Sequence, residues 1–271
     1  MKRSNITRRA AIGRLGALVG TAFWPGVLLA QGKPTTAGPV RFVVLNDLHH
    51  ENADCEAWFG ALFKAAGAHA GVAFVAGLGD LANTGKRESL AAIKRLSAAA
   101  RVPFLPVPGN HDNDVEENTR IYSEIFPGRL NYAWAEAGWQ FIALDTTEGK
   151  KWGEVRVSVE TLMWLKAETA KLDARKPTVL MTHFPLGAGV KMRPLNAEAI
   201  LEPLADFNLR GVFSGHFHSQ TSVKHGQAEC VTNVCCSRVG KNHDGTLVKG
   251  YFVANGAADG SLTREFVPFA G

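Results

Sequence analysis

Residues 40–49 read Val-Arg-Phe-Val-Val-Leu-Asn-Asp-Leu-His. The run Val40–Asn46 is apolar, short and rich in β-branched and aromatic residues, so it reads as a buried strand. It stops abruptly at Asp47-Leu48-His49, where the side chains change to carboxylate and imidazole. The same grammar recurs along the chain. Val72–Gly77 ends in Gly79-Asp80, and Val102–Val107 ends in Gly109-Asn110-His111-Asp112. Thr178–Met181 ends in His183, and Gly211–Ser214 ends in Gly215-His216-Phe217-His218. Loops at strand ends are where α/β proteins build sites. The scatter makes sense if the strands lie side by side and deliver their ends to one place.

Working outward, helix-like spacing covers Glu56–His69, Lys86–Ala100, Asp114–Phe126, Ser158–Leu172 and Ala197–Phe207. Tyr132–Ala135 and Trp139–Leu144 read as a hairpin around Ala137-Gly138. The last sixty or so residues carry short strand-like runs, ending in Tyr251–Ala254 and Leu262–Val267. The alternation predicts stacked α/β layers with mixed sheets. No internal repeat and no second domain boundary interrupts residues 40–271.

The net charge of +5 misleads about partners. Residues 1–30 hold Lys2, Arg3, Arg8, Arg9 and Arg14 and no acid, which leaves 25 basic against 25 acidic residues in 31–271. The body therefore gives no electrostatic reason to expect nucleic-acid binding. Residues 15–30 carry no charge and follow Arg8-Arg9, the layout of a secretory signal that resembles the twin-arginine type. Sixteen uncharged residues broken by Pro25 are short for a spanning helix, so no stable membrane span is expected after signal removal. Residues 31–39 read as a linker. The expected location is exported, periplasmic or secreted. Cys55, Cys230, Cys235 and Cys236 form no zinc-type pair, and an oxidising compartment leaves both a disulfide and buried free thiols open.

The strand-end residues offer carboxylates, imidazoles and one amide oxygen, with no thiolate. That set suits manganese, iron or zinc. Asp-x-His and His-x-His place alternate side chains of an extended segment on one face, so each pair can reach a common point. Five of the nine histidines fall in these motifs; His50, His69, His225 and His243 do not, and read as packing or surface residues.

The ordered series D-x-H, G-D, G-N-H-D, an isolated H and G-H-x-H, from Asp47 to His218, resembles the calcineurin-like metallophosphoesterase family. Asn196-Ala197-Glu198 further resembles the branch containing cyclic-nucleotide and glycerophosphodiester phosphodiesterases. The resemblance implies a four-layer α/β/β/α sandwich with two mixed sheets. It implies two metal ions, the first on Asp47, His49 and His218, the second on Asn110, His183 and His216, with Asp80 bridging. It implies His111 as the general acid at the leaving oxygen, with Asp112 orienting it. The reaction implied is hydrolysis of a small-molecule phosphoester, a phosphodiester first, by a hydroxide bridging the metals. A phosphomonoesterase or nucleotide diphosphatase on the same site is the alternative, and a non-catalytic metal-binding scaffold is the competing class. Purple acid phosphatases carry Tyr three residues after the bridging Asp; Asn83 stands there.

Overall fold

The computed structural model describes residues 37–271, so the predicted signal and nearly all of the linker lie outside the described residues. Among the described residues, eleven strands form two sheets. The first contains β1 (Val40–Leu45), β2 (Val72–Leu78), β3 (Phe104–Val107), β10 (Gly250–Gly256) and β11 (Leu262–Pro268) in the order β11-β10-β1-β2-β3. Its β1–β2–β3 half is parallel, and β10 and β11 join antiparallel. The second sheet holds β4 (Tyr132–Glu136), β5 (Trp139–Leu144), β6 (Thr178–Thr182), β7 (Leu209–Ser214), β8 (Thr221–His225) and β9 (Ala228–Thr232) in the order β4-β5-β6-β7-β9-β8. Its centre, β5–β6–β7–β9, is parallel and both edges are antiparallel.

The period-2 alternation of each strand produces the layers. Phe42 and Val44 of β1 face the second sheet, where they pack with Phe141, Met181 and Phe213. Their neighbours Val43 and Leu45 face the other way, onto helices α1 (Glu56–Gly67), α2 (Arg87–Ser97) and α3 (Arg120–Ile125), through Phe59, Leu62, Ile93 and Tyr122. On the far side, Ile142, Leu180 and Val212 pack under α4 (Val159–Thr169) and α5 (Glu198–Leu201). Three apolar layers between four layers of structure give the expected α/β/β/α sandwich. Phe42 is central to the inter-sheet layer: it stacks on Phe74 at 5.2 Å and meets Phe141 edge-on at 5.3 Å. Truncating such a residue to alanine costs about 3–5 kcal/mol.

Three helices differ from the sequence expectation. The one expected over Asp114–Phe126 begins only at Arg120, because Asp114 Oδ1 accepts from the amides of Glu116 and Asn118, and Asn118 Oδ1 accepts from Arg120 N. Short polar side chains that bind nearby amides offer the backbone an alternative to the helix. The helix expected over Ala197–Phe207 stops at Leu201 and continues as a 3-10 turn over Glu202–Leu204, where Pro203 lacks the N–H that an α-helix would use. The third, α4, is capped by Ser158, whose side chain accepts from Thr161 N at 3.1 Å. It is less one-sided than the Leu162, Leu165 and Leu172 spacing implied: Val159 and Met163 are 66% and 67% exposed.

Candidate metal centre

The parallel strands of both sheets run the same way to one edge of the sandwich. Asp47 and His49 follow β1, Asp80 follows β2, Asn110 follows β3, His183 follows β6, and His216 and His218 follow β7. All seven are buried. Their ligand atoms form two groups, Asp47, His49, Asp80 and His218 in one and Asp80, His183 and His216 in the other, with Asp80 shared.

The backbone bends hard to bring them together. Asp47, His49, Asp80, His216 and His218 all have φ between 46° and 65°. The extended geometry expected for the two x-separated pairs is therefore not what brings them together; left-handed turns at the ligands themselves do so. Non-glycine residues adopt this region rarely, with Asn, Asp and His the most tolerant, and such strain clusters at functional sites. Five of the ten non-glycine residues with positive φ among the described residues are these ligands. Two glycines make room. A Cβ on Gly79 (φ +79°) would lie 2.5 Å from His183 Nδ1, and one on Gly109 would lie 2.2 Å from Asp80 N.

Hydrogen bonds behind the imidazoles fix which nitrogen faces inward. His183 Nδ1 donates to Leu78 O at 2.8 Å, His218 Nδ1 to Lys241 O at 2.9 Å, and His216 Nε2 to Trp152 O at 2.7 Å. A carbonyl can only accept, so in the neutral ring each opposite nitrogen presents a lone pair to the site. His183 Nε2 then lies 3.1 Å from Asn110 Oδ1, 3.1 Å from His216 Nδ1 and 3.4 Å from Asp80 Oδ1. These are all acceptors. Such a cluster is unfavourable unless a cation lies between them, so the residues fit a metal.

Charge follows the same logic. Burial alone would raise Asp47 and Asp80, but the surrounding imidazoles hold both below the usual carboxylate range. Burial lowers His49, and together with His183 it brings His216 to about 4, so both stand neutral at pH 7. His218 is the exception. Burial opposes its charge, yet Asp47 Oδ1, 3.3 Å from its Nε2, pushes it up to about 11.

Two ligand groups sharing one carboxylate, on the strand ends of a two-sheet sandwich, coincide with the calcineurin-like phosphoesterase sequence pattern, which matches residues 40–220. The chain belongs to that family. Among its relatives is a probable cyclic nucleotide phosphodiesterase of Fibrobacter succinogenes, 29% identical over 154 residues, which cover 54% of this chain and 57% of that protein. Another is the glycerophosphodiester phosphodiesterase GpdQ of Enterobacter lignolyticus, 27% identical over 167 residues, covering 57% of this chain and 59% of that protein. The chain thus spans less than two thirds of the length of the curated relatives it matches. A purple acid phosphatase, PPD1 from yellow lupin, shares the fold with a TM-score of 0.63 at 15% identity, over 87% of this chain and 52% of that one. GAP50, the anchor in the inner membrane complex of Plasmodium, does so with a TM-score of 0.58 at 14% identity, over 85% of both chains.

Within this site, one expected relationship is absent. Asp112 does not orient His111. Its carboxylate accepts from Leu81 N, Ala82 N and Gly109 N at 3.1, 2.8 and 2.9 Å, which ties the loop after β2 to the loop after β3. Burial and the nearby Asp80 raise its pKa to about 7. The orienting partner of His111 is Asn83, whose carbonyl accepts from His111 Nδ1 at 2.7 Å, while His111 N donates to Asp80 Oδ1 at 2.9 Å. His111 is half-buried beside the ligands, its ring edge-on to His49 at 4.8 Å.

Other polar side chains near the strand ends have structural duties. Asp145 accepts from Thr147 N and Oγ1, a turn contact. Arg193 donates to Leu186 O and Glu198. Asn196, on which the branch resemblance rests, holds the backbone of Val157 through both ends of its amide. His50 is buried against Phe59. The sequence reading missed Asn46, whose amide donates to Asp47 Oδ2 at 2.7 Å, and His243, whose ring stacks on His218 at 5.1 Å. Asn46 adjoins a ligand and was findable; no local pattern marks His243. The four cysteines are buried and free, and among the described residues no helix is long and apolar enough to cross a membrane.

Proposed function

We propose that this chain hydrolyses phosphodiesters at the shared-carboxylate site. The observation that carries this reading is the complete double ligand set around Asp80, with His111 beside it. Asp47, His49 and His218 would hold one ion, and Asn110, His183 and His216 the other, with Asp80 between them. Two bound cations supply Lewis-acid activation of water and neutralise the oxygens of the phosphoryl group.

The protein supplies the rest. Back-side hydrogen bonds hold three imidazoles with their lone pairs forward. Burial excludes competing water and strengthens every charge interaction in the site. Because His111 Nδ1 is committed to Asn83 O, its Nε2 is the atom that meets substrate; as the imidazolium, with both nitrogens protonated, the ring gives its Nε2 proton to the departing oxygen and is left neutral. A diester is favoured over a monoester or a nucleotide diphosphate because the curated relatives carry phosphodiesterase names. Export by the twin-arginine route belongs to the same proposal, since that route carries folded proteins and a metal centre can be filled beforehand.

The test is metal analysis of the purified protein, then rates on matched diester, monoester and diphosphate substrates. Metal-dependent turnover fastest on the diester is expected. Bound metal without turnover of any of them would favour the scaffold reading instead.

A further inference from the structure

Beside the metal ligands lies a cleft of about 200 Å³, lined by Asn83, Thr84, Asn110, His111 and Lys150. Two of these residues already have places in the proposed reaction: Asn110 as a ligand and His111 as the proton donor. A group filling this cleft is therefore joined to phosphorus on the side from which the alcohol departs. The volume is below that of ordinary ligand pockets, so the group is small. The lining holds two amides, a hydroxyl, an imidazole and an ammonium and no large apolar side chain, so the group is polar. Lys150 is half-buried, and no carboxylate lies within 4 Å of its ammonium among the described residues, although its neighbour Lys151 pairs with Glu148. Its segment is also held in place. Gly149 O accepts from Asn113 Nδ2 at 3.0 Å, and Trp152 O accepts from the His216 ring. The two anchors fasten residues 149–152 to the Asn110 loop on one side and to a metal ligand on the other.

Resting on the phosphodiesterase reading, we propose that Lys150 selects the leaving group, and that the preferred substrate is a phosphodiester whose departing alcohol is small, hydroxylated or short-chained, and anionic. The phosphoryl charge is matched by the metal site. The Lys150 ammonium is the remaining cation of the cleft, and it meets a carboxylate or phosphate on the alcohol. A cationic alcohol such as choline would face repulsion there.

The test uses three methyl phosphodiesters, of 3-hydroxypropanoate, 1,3-propanediol and choline, with release of the second alcohol measured on the metal-loaded full chain. The wild-type protein is expected to favour the anionic over the cationic substrate by about ten-fold or more in kcat/KM, the effect of one charge-assisted contact. Lys150→Met should bring the ratio near one, Lys150→Glu should invert it, and Lys150→Arg should keep it. Metal content and melting temperature should match wild type in all three. Equal rates on the three substrates, or a ratio unmoved in Lys150→Glu, would overturn the role of Lys150 while leaving the phosphodiesterase reading intact. Turnover of none of them by wild type that also fails on generic diesters would instead remove that reading.

Discussion

The imidazoles of His49 and His218 face each other across the site with their Nε2 atoms 3.2 Å apart. His218 Nδ1 is spent on Lys241 O, so the inward nitrogen of His218 carries either a lone pair or, without metal, a proton held by Asp47. Its pKa of about 11 means that this proton is present at pH 7. A metal ion needs the lone pair, so binding must expel the proton, and affinity must rise with pH. Titration calorimetry in buffers of different ionisation enthalpy should show release of about one proton per chain at pH 7 as the first ion binds. His49 and His216, already neutral, should add none. Binding with no proton released would contradict this assignment.

Sharing of Asp80 makes the two ions unequal in what they lose to mutation. Asp80 belongs to both ligand groups, whereas His216 belongs to one. His216→Asn should leave about one ion per chain, with the first group intact, and Asp80→Asn should weaken both and bring occupancy well below one. Elemental analysis of gel-filtered protein reads this directly. Equal losses in the two variants would mean that the sites are not bridged by Asp80.

What the sequence showed and what it hid divide along a physical line. The strand runs were legible because alternation and strand burial are written in side chains, as in Phe42 and Val44 facing one way and Val43 and Leu45 the other. The candidate ligands were legible because only certain side chains bind metal. The supports were not: Leu78, Asn83, Trp152 and Lys241 act on the histidines through backbone carbonyls, which every residue possesses. Left-handed turns at Asp47 and His49 were equally silent, since tertiary packing imposes them. The role expected of Asp112 failed for a related reason: adjacency to His111 said nothing about the three amides that claim its carboxylate.

Away from the site, Glu229 of β9 joins the two sheets. It pairs with Lys224 on β8 and with Arg264 on β11 of the other sheet. Hydrogen bonds from Lys224 and Arg264 lower its pKa from 4.5 to about 2. A depressed carboxylate stabilises the fold above its unfolded pKa, and that contribution is lost as pH falls through the folded value. Glu229→Gln should therefore cost about 1 kcal/mol at pH 7, discounted for partial exposure. The difference from wild type should shrink steadily from about pH 4.5 toward pH 2. Urea unfolding of both proteins without metal, across that range, is the measurement; a gap independent of pH would assign the loss to packing.

His111 and Asp112 are neighbours with separable duties, and substitution should separate them. His111 touches the ligand Asp80 only through its amide, so His111→Ala leaves every metal contact in place. It should lower kcat on an unactivated diester by about 10²–10⁴-fold, the usual range for a lost general acid. The loss should be much smaller on a nitrophenyl diester, whose leaving group departs without a proton. Asp112→Asn should do something else. An amide keeps one acceptor oxygen where the carboxylate serves three buried amides, and its NH2 group opposes at least one of them. The expected result is a loss of about 2–4 kcal/mol of stability. Folded Asp112→Asn protein should show no dependence of its residual rate on leaving-group acidity beyond that of wild type. Rates on a series of diesters of graded leaving-group pKa, read beside melting curves, decide the matter. If Asp112→Asn steepens that series as His111→Ala does, the carboxylate acts through His111 after all.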